Sequence, residues 1–357
     1  MFYFSDLSVA FLIALIATFL LTFPIKKLAS KLGVMDLPNS RKIHRKAMPR
    51  MGGLAIFLGS FLGIIYLQPY GTYFTEIFIG AIIIVITGIL DDKYQLRPVV
   101  KLIGQLIAAF SVISSGLIIE RITIPIFGMI DLGPISVLVT ILWIVGITNA
   151  INLIDGPDGL AAGVTTIAFI SMLIMAIIDM RILAAYFCVV LIGANLGFLY
   201  HNFHPAKIYM GDTGSNFLGY MIAIVSILGL FKNLTLFGFI IPVILLAVPI
   251  LDTLFAIARR IRNGQSIMLP DNQHIHYQLI EKGFSHRQTV GIIYGFSALF
   301  GVIAILLSNA TITVAVIVIF LVLVLFHFLA ELGGFVMNGK RPALDLVGRM
   351  FRKHGKG

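Results

Sequence analysis

Long apolar runs make up most of this chain, and polar residues collect in the short gaps between them. A helix needs about 20 apolar residues to cross the hydrocarbon of a bilayer. By that ruler eleven segments stand out, at roughly 7–26, 52–69, 75–90, 101–119, 134–153, 160–178, 182–200, 215–231, 235–258, 289–307 and 310–330. The pattern predicts an all-α integral membrane protein, a polytopic bundle of about 11 transmembrane helices. One gap, ERITIPIFGMIDLG at 120–133, alternates β-branched residues with Pro and Gly and predicts a short hairpin. The longest insert that is not apolar runs from Arg259 to Gln288. With no tandem repeat and no linker, residues 1–357 read as a single transmembrane domain whose active site is formed by cytoplasmic loops.

Composition removes the soluble alternatives. Of 357 residues, 59% are hydrophobic and 12% charged, and a mean hydropathy of +1.02 exceeds what one water-soluble core can hide. Cys188 is the single cysteine, which rules out a disulfide framework and a Cys-based metal site. Asp6 stands before the first apolar run, where a signal peptide carries Lys or Arg, and no A-x-A-like site follows. That run is expected to be a retained anchor.

Charge then orients the bundle. Helices that alternate between two faces put all but Arg121, Arg181 and Lys232 of the 26 Lys and Arg residues on one side. By the positive-inside rule that side is cytoplasmic, with the N-terminus outside and the C-terminus inside. The net charge of +10 is therefore a membrane pattern, with anionic lipid as its counterpart and no nucleic acid implied. Asp91, Asp92, Asp155, Asp158, Asp212 and Asp252 fall at the same cytoplasmic ends or loops. Chemistry, if present, faces the cytoplasm.

Five polar stretches carry the candidates. RKIHRKAMPRMGGLAIF, 41–57, brings cations, His44 and Arg50 to a glycine pair that opens a helix, a natural phosphate site. GILDDKYQLRPVVKLIGQ, 88–105, places Asp91 beside Asp92. Adjacent carboxylates repel unless a cation or proton sits between them or one turns away. Lys101 and Gln105, four residues apart, share a helical face. In the third stretch Asn149, Asn152, Asp155 and Asp158 recur every three residues, broken by a Gly156-Pro157-Asp158-Gly159 turn. Asparagines at this spacing serve equally as glue between helices. The fourth, HNFHPAKIYMGDTGSNFLGY at 201–220, sets Asp212 between glycines, where capping a helix is the plainer role. The last, DNQHIHYQLIEKGFSHRQT at 271–289, supplies His274, His276, His286 and Arg287 after Asp252, Arg259 and Arg260. Its His-x-His pair, with no Cys and no third ligand at a recognised spacing, points to phosphate contact ahead of zinc. Asp252 is placed to pair with Arg259 or Arg260.

A carboxylate about 4 Å from a substrate phosphate repels it by roughly 4 kcal/mol at an effective dielectric of 20. A divalent cation reverses that sign, and magnesium takes one or two carboxylates and completes its shell with phosphate and water. Acids and bases on one face thus point to phosphoryl chemistry at the inner membrane surface. A secondary transporter would keep its working charges near the midplane on broken helices. An intramembrane aromatic prenyltransferase would need an acid four residues after Asp91 or Asp92, where Gln95 and Leu96 stand.

The stretches resemble the polyprenyl-phosphate N-acetylhexosamine-1-phosphate transferases, glycosyltransferase family 4. PRMGG, GILDDKYQL followed by Lys101 and Gln105, NAINLIDGPDGLAAG, NFHPAKIYMGDTGS, PILDT and HIH occur in the family's order over nearly the whole chain. Within it the chain looks most like the undecaprenyl-phosphate branch that initiates wall teichoic acid, with the O-antigen and enterobacterial-antigen initiators close by. The resemblance implies transfer of GlcNAc-1-phosphate from UDP-GlcNAc to undecaprenyl phosphate with Mg2+, or Mn2+ in its place; another UDP-N-acetylhexosamine, for O-antigen or capsule, is the alternative. It implies Asp212 and Asp158 as metal ligands, Asp158 also serving the nucleotide diphosphate, and Asp91, Asp92 and Asp155 as catalytic residues. His44, Arg50, Lys101, Asn152, Arg260, His274 and His276 would then hold substrate. It leaves monomer and homodimer open, as it does one-step displacement and a two-step route through an aspartyl phosphate. The family usually reads Asp-Gly-Leu-Asp-Gly where this chain has Pro157, and His-Ile-His-His-Arg where it has Tyr277 and Gln278.

Overall fold

The computed structural model describes residues 4–36, 47–69, 71, 73–124, 128–229, 240–266, 273–308, 310 and 312–332. Thirteen helices appear among them: α1 (Phe4–Lys31), α2 (Gly52–Leu67), α3 (Phe74–Tyr94), α4 (Pro98–Ser114), α5 (Ser136–Ile154), α6 (Leu160–Ile178), α7 (Ile182–Asn202), α8 (Gly211–Gly229), α9 (Ile240–Leu245), α10 (Ala247–Arg262), α11 (Ile275–Glu281), α12 (His286–Ser308) and α13 (Ile312–Leu332). Two short antiparallel hairpins accompany them, β1 (Met35–Asp36) with β2 (Met48–Pro49) and β3 (Arg121–Ile124) with β4 (Gly128–Asp131). The second is the hairpin expected at 120–133.

Every apolar segment of the sequence overlaps a helix. Six helices are long and apolar enough to cross a membrane by length and composition: Phe4–Lys31, Phe74–Tyr94, Gly133–Ile154, Leu160–Ile178, Ile182–Asn202 and His286–Ser308. Large apolar side chains on their outer faces stay exposed, as Leu12, Ile16 and Leu20 do on α1 and Val302 and Leu306 on α12. A water-facing surface does not tolerate such a belt; a lipid-facing one requires it. The protein is a multi-pass, all-α membrane protein.

One expected segment divides. Residues 235–258 were predicted as one run, whereas α9 ends at Leu245 and α10 begins at Ala247. Pro249 has no N–H to give the Leu245 carbonyl and its ring crowds that oxygen, so the helix breaks at Leu246.

Helix α8 forms the axis. All 19 of its residues are buried, and α2, α3, α5, α6 and α7 pack around it. A helix enclosed on every side sets the position of whatever lies in its first turn, here Asp212. Close approach is achieved with small residues: a Cβ on Gly53 of α2 would overlap the Gly214 backbone of α8. Gly53→Ala is expected to destabilise the fold by about 1–3 kcal/mol, seen as a lower Tm of the purified protein. Gly146→Ala, where nothing lies within 4 Å, is the control that leaves Tm unchanged or raises it.

Candidate active site

Three elements meet at the first turn of α8. The segment after β2 runs parallel to the residues leading into α8, with Tyr209 N donating to Pro49 O at 2.9 Å, Gly52 N to Tyr209 O at 2.9 Å and Gly53 N to Met210 O at 2.8 Å. This pairing delivers Arg50. From α3 comes the acidic pair, whose two members diverge. Asp92 turns into the start of α8, where its carboxylate accepts from Asp212 N at 2.8 Å, Thr213 N at 3.1 Å and Thr213 Oγ1 at 2.6 Å. It is an N-cap supplied from another helix, satisfying donors that α8 leaves unpaired. Gly211, at φ +73°, lets the chain turn there, and a Cβ on it would press on the Asp92 carboxylate. Asp91 instead accepts from Leu96 N at 2.8 Å and faces Lys101 Nζ at 2.8 Å.

Asp212 is the hub. Its Oδ1 meets Arg50 Nη2 at 2.5 Å and its Oδ2 pairs with Lys101 Nζ. Arg50 Nε also reaches Asp92 Oδ1 at 3.0 Å. Asp91, Asp92 and Asp212 against Arg50 and Lys101 leave one net negative charge, and ionised Asp155 adds another.

Two cavities open on this cluster. The larger, about 720 Å³, is lined by Asp91, Lys101, Gln105, Asn149, Asn152, Asp155, Asp212, Arg260, His274 and His276, with Leu96, Leu102, Leu153 and Ile257 as an apolar wall. The smaller, about 270 Å³, is lined by Asp36, Asp158, Asn202, His204, Tyr209 and His286. Arg50, Asp155, Gly156 and Tyr277 border both.

Most of the residues singled out in the sequence converge here. Lys101 and Gln105 do share a face, Gln105 exchanging hydrogen bonds with Asn149 and Asn216. The asparagines act as glue between helices, since Asn152 Nδ2 donates to Ser215 Oγ at 2.8 Å, yet both line the larger cavity. Asp158 and Asp212, expected around one metal, are divided: they line different cavities, and Asp158 Oδ2 takes His204 Nδ1 at 2.8 Å and Ala206 N at 3.0 Å. The reason is the Gly156–Gly159 turn, held by Leu160 N on Pro157 O and by Gly159 N on Asn202 Oδ1, which swings Asp158 toward the end of α7. Asp252, placed near Arg259 or Arg260 in the sequence, holds His274 Nδ1 and Ile275 N at 2.9 Å each and so anchors α11. His44 lies outside the described residues.

Burial pushes the His276 imidazole down to about 3, so near neutral pH the ring is uncharged and has one N–H to donate. Desolvation raises the Asp155 carboxyl to about 7; Arg50 opposes, and Asp212, Asp92 and Asp36 add to the rise. His204 escaped notice in the sequence. Its place directly before Pro205, between α7 and α8, was its one local mark, and nothing there announced Asp158 as its partner.

The model of the family described as "Glycosyl transferase family 4" matches residues 74–230. A "Probable undecaprenyl-phosphate N-acetylglucosaminyl 1-phosphate transferase" of Bacillus subtilis (strain 168) is 46% identical over 348 residues, 97% of either chain. This chain belongs to glycosyl transferase family 4. It is also similar to the "Decaprenyl-phosphate N-acetylglucosaminephosphotransferase" of Mycobacterium tuberculosis (strain ATCC 25618 / H37Rv), at 37% over 81% of this chain and 79% of the relative. The "Undecaprenyl-phosphate alpha-N-acetylglucosaminyl 1-phosphate transferase" of Escherichia coli (strain K12) is 28% identical over 82% of each. The family 4 match spans α3 to α8 and so contains Asp91, Asp92, Lys101, Asp155, Asp158 and Asp212. Arg50, Arg260, His274 and His276 lie beyond it and join the same cluster only through the fold.

Proposed function

We propose that this protein transfers GlcNAc-1-phosphate from UDP-GlcNAc to undecaprenyl phosphate, giving undecaprenyl diphosphate GlcNAc and UMP, as the first membrane step of a cell-wall polymer such as teichoic acid. The observation that carries the reading is the convergence of Asp91, Asp212, Lys101 and Arg50 at a cavity with one polar and one apolar wall, in a membrane protein. The relatives' names give undecaprenyl phosphate as their acceptor and N-acetylglucosaminyl 1-phosphate as the group they transfer, which supports this reading; UDP as the carrier of that group is part of the proposal. The protein is taken to sit in a bacterial cell membrane with eleven spans, its N-terminus outside and the site facing the cytoplasm, on the strength of the Lys and Arg asymmetry.

The apolar wall suits the lipid phosphate, and the polar smaller cavity suits the nucleotide. The two substrates then meet at the shared border of Arg50 and Asp155. A lipid phosphate oxygen attacks the β-phosphorus, the bond from that phosphorus to the bridging oxygen breaks, and UMP leaves with the oxygen. Lys101 and Arg50 neutralise charge on the phosphates, and Asp92 is a positioning residue that fixes Asp212. Positioning and charge neutralisation supply most of the rate in such a transfer.

The residues fit a hard divalent cation. The cluster offers carboxylate and amide oxygens without sulfur, and its excess of one to two negative charges matches one Mg2+. Asp212 would hold the ion with Asp91 or Asp155 beside it, and the ion would supply charge stabilisation at the departing diphosphate. Burial raises the Asp155 carboxyl to about 7, so a cation held beside Asp155 would displace its proton. Apparent Mg2+ affinity is expected to rise from about pH 6 to about pH 8, and Asp155→Asn should flatten that profile in a direct binding titration.

Membranes carrying the protein, given undecaprenyl phosphate, Mg2+ and a panel of UDP-N-acetylhexosamines, test the activity. The expected result is UMP release fastest with UDP-GlcNAc and none with chelator. Silence with every sugar from a folded preparation would overturn the reading and favour a transporter.

A further inference from the structure

We propose that Asp158, His204 and His286 form a second cation site, separate from the magnesium cluster and suited to a transition metal of the zinc class. One ligand atom from each residue lies within 4.8 Å of the other two. The three arrive from separate elements: the turn before α6, the loop after α7 and the first residue of α12. Convergence from three directions is what a preformed metal site requires.

Local structure holds each ligand. Ser285 and Gln288 form a capping box at the start of α12, with Ser285 N donating to Gln288 Oε1 at 2.9 Å and Gln288 N to Ser285 Oγ at 3.4 Å. That box fixes His286. The His204 carbonyl accepts from Arg287 Nη2 at 3.1 Å, tying the loop to the same helix, and the two imidazoles stack with centroids 4.5 Å apart. Asp158 is held by Ala206 N and by the turn described above.

Chemistry selects the ion. Two imidazoles with one carboxylate are the ligand set of open zinc sites, and such a set binds zinc and its transition-metal neighbours ahead of magnesium, which prefers oxygen alone. His286 Nε2 is buried and has no hydrogen-bond partner among the described residues, so a basic nitrogen stands ready to ligate. The Asp158–His204 contact at 2.8 Å is the hydrogen bond that a metal would replace. The fourth position would open into the smaller cavity, which all three residues line. None of this depends on the transferase reading, because neither Asp91 nor Asp212 takes part.

The test uses the full chain, purified in nanodiscs with an affinity tag that contains no histidine. Zn2+ is titrated with a competing chromophoric chelator in the presence of excess Mg2+, and Co2+ is followed by its visible ligand-field bands. Wild type is expected to bind one saturable equivalent, with Co2+ bands of a nitrogen-ligated site. Loss of an outer-shell partner already costs 10- to 100-fold in affinity elsewhere, so His286→Ala and His204→Ala should each weaken Zn2+ by about 100-fold or more. His286→Gln, closer in size, keeps the comparison valid if the alanine variant unfolds. Binding that is unsaturable in wild type, or equal in wild type and a folded His204→Ala/His286→Gln double variant, would overturn the proposal. Mg2+-dependent UMP release, measured on the same wild-type sample, reports separately on the transferase reading.

Discussion

Asp212→Asn is expected to lower UMP release by about 10²-fold or more, by analogy with removing one electrostatic stabiliser from other active sites. The two Asp212 oxygens serve different cations, Arg50 on one and Lys101 on the other. Asparagine keeps the shape of the side chain but turns an N–H2 toward one of those cations and removes one negative charge from the proposed Mg2+ site. The loss should appear in turnover of a protein that still folds: Tm should fall because two ion pairs are weakened, but the donors at the α8 N-terminus stay held by Asp92. Near wild-type turnover in a folded Asp212→Asn preparation would remove the metal assignment.

Asp92→Asn should act on the fold first. Its carboxylate accepts three hydrogen bonds and the Arg50 Nε contact, in a side chain with no exposed surface. Asparagine offers one acceptor oxygen and sets a donor against donors. Breaking a buried charged pair by removing one partner typically costs about 3–5 kcal/mol, and the same range is expected here. Asp91→Asn is the companion. Its side chain reaches the larger cavity, so it should depress turnover with a smaller effect on stability. Thermal unfolding and UMP release on both variants separate the neighbours: a stability loss confined to Asp91→Asn would reverse the two roles.

Why the sequence conceals this division is physical. Asp91 and Asp92 are adjacent letters of one type, and their separation depends on where α8 packs against α3, a contact between residues more than a hundred positions apart. The apolar helical runs and the hairpin at 120–133 were legible because hydropathy and turn residues are local signals. The break at Leu246 was also written locally, in Pro242 and Pro249, but hydropathy over 235–258 averages across prolines. Arg50 was a candidate for its place beside a glycine pair; its alignment on Asp212 needs the parallel pairing of residues 49–53 with 209–210. Asp158 shows the reverse failure. The family resemblance implied a metal site shared with Asp212, whereas the turn through Pro157 hands it to His204. Motif spacing reports which residues a site needs, and only packing decides which of two neighbouring cavities each one serves.

The central claim is that a phosphate travels with the sugar. Purified protein in nanodiscs containing undecaprenyl phosphate, supplied with Mg2+ and UDP-GlcNAc labelled at the β-phosphorus, tests it in one measurement. The label should move into the lipid fraction while unlabelled UMP appears in the water phase in equal amount. Label that stays in water as UDP while sugar enters the lipid would contradict the account.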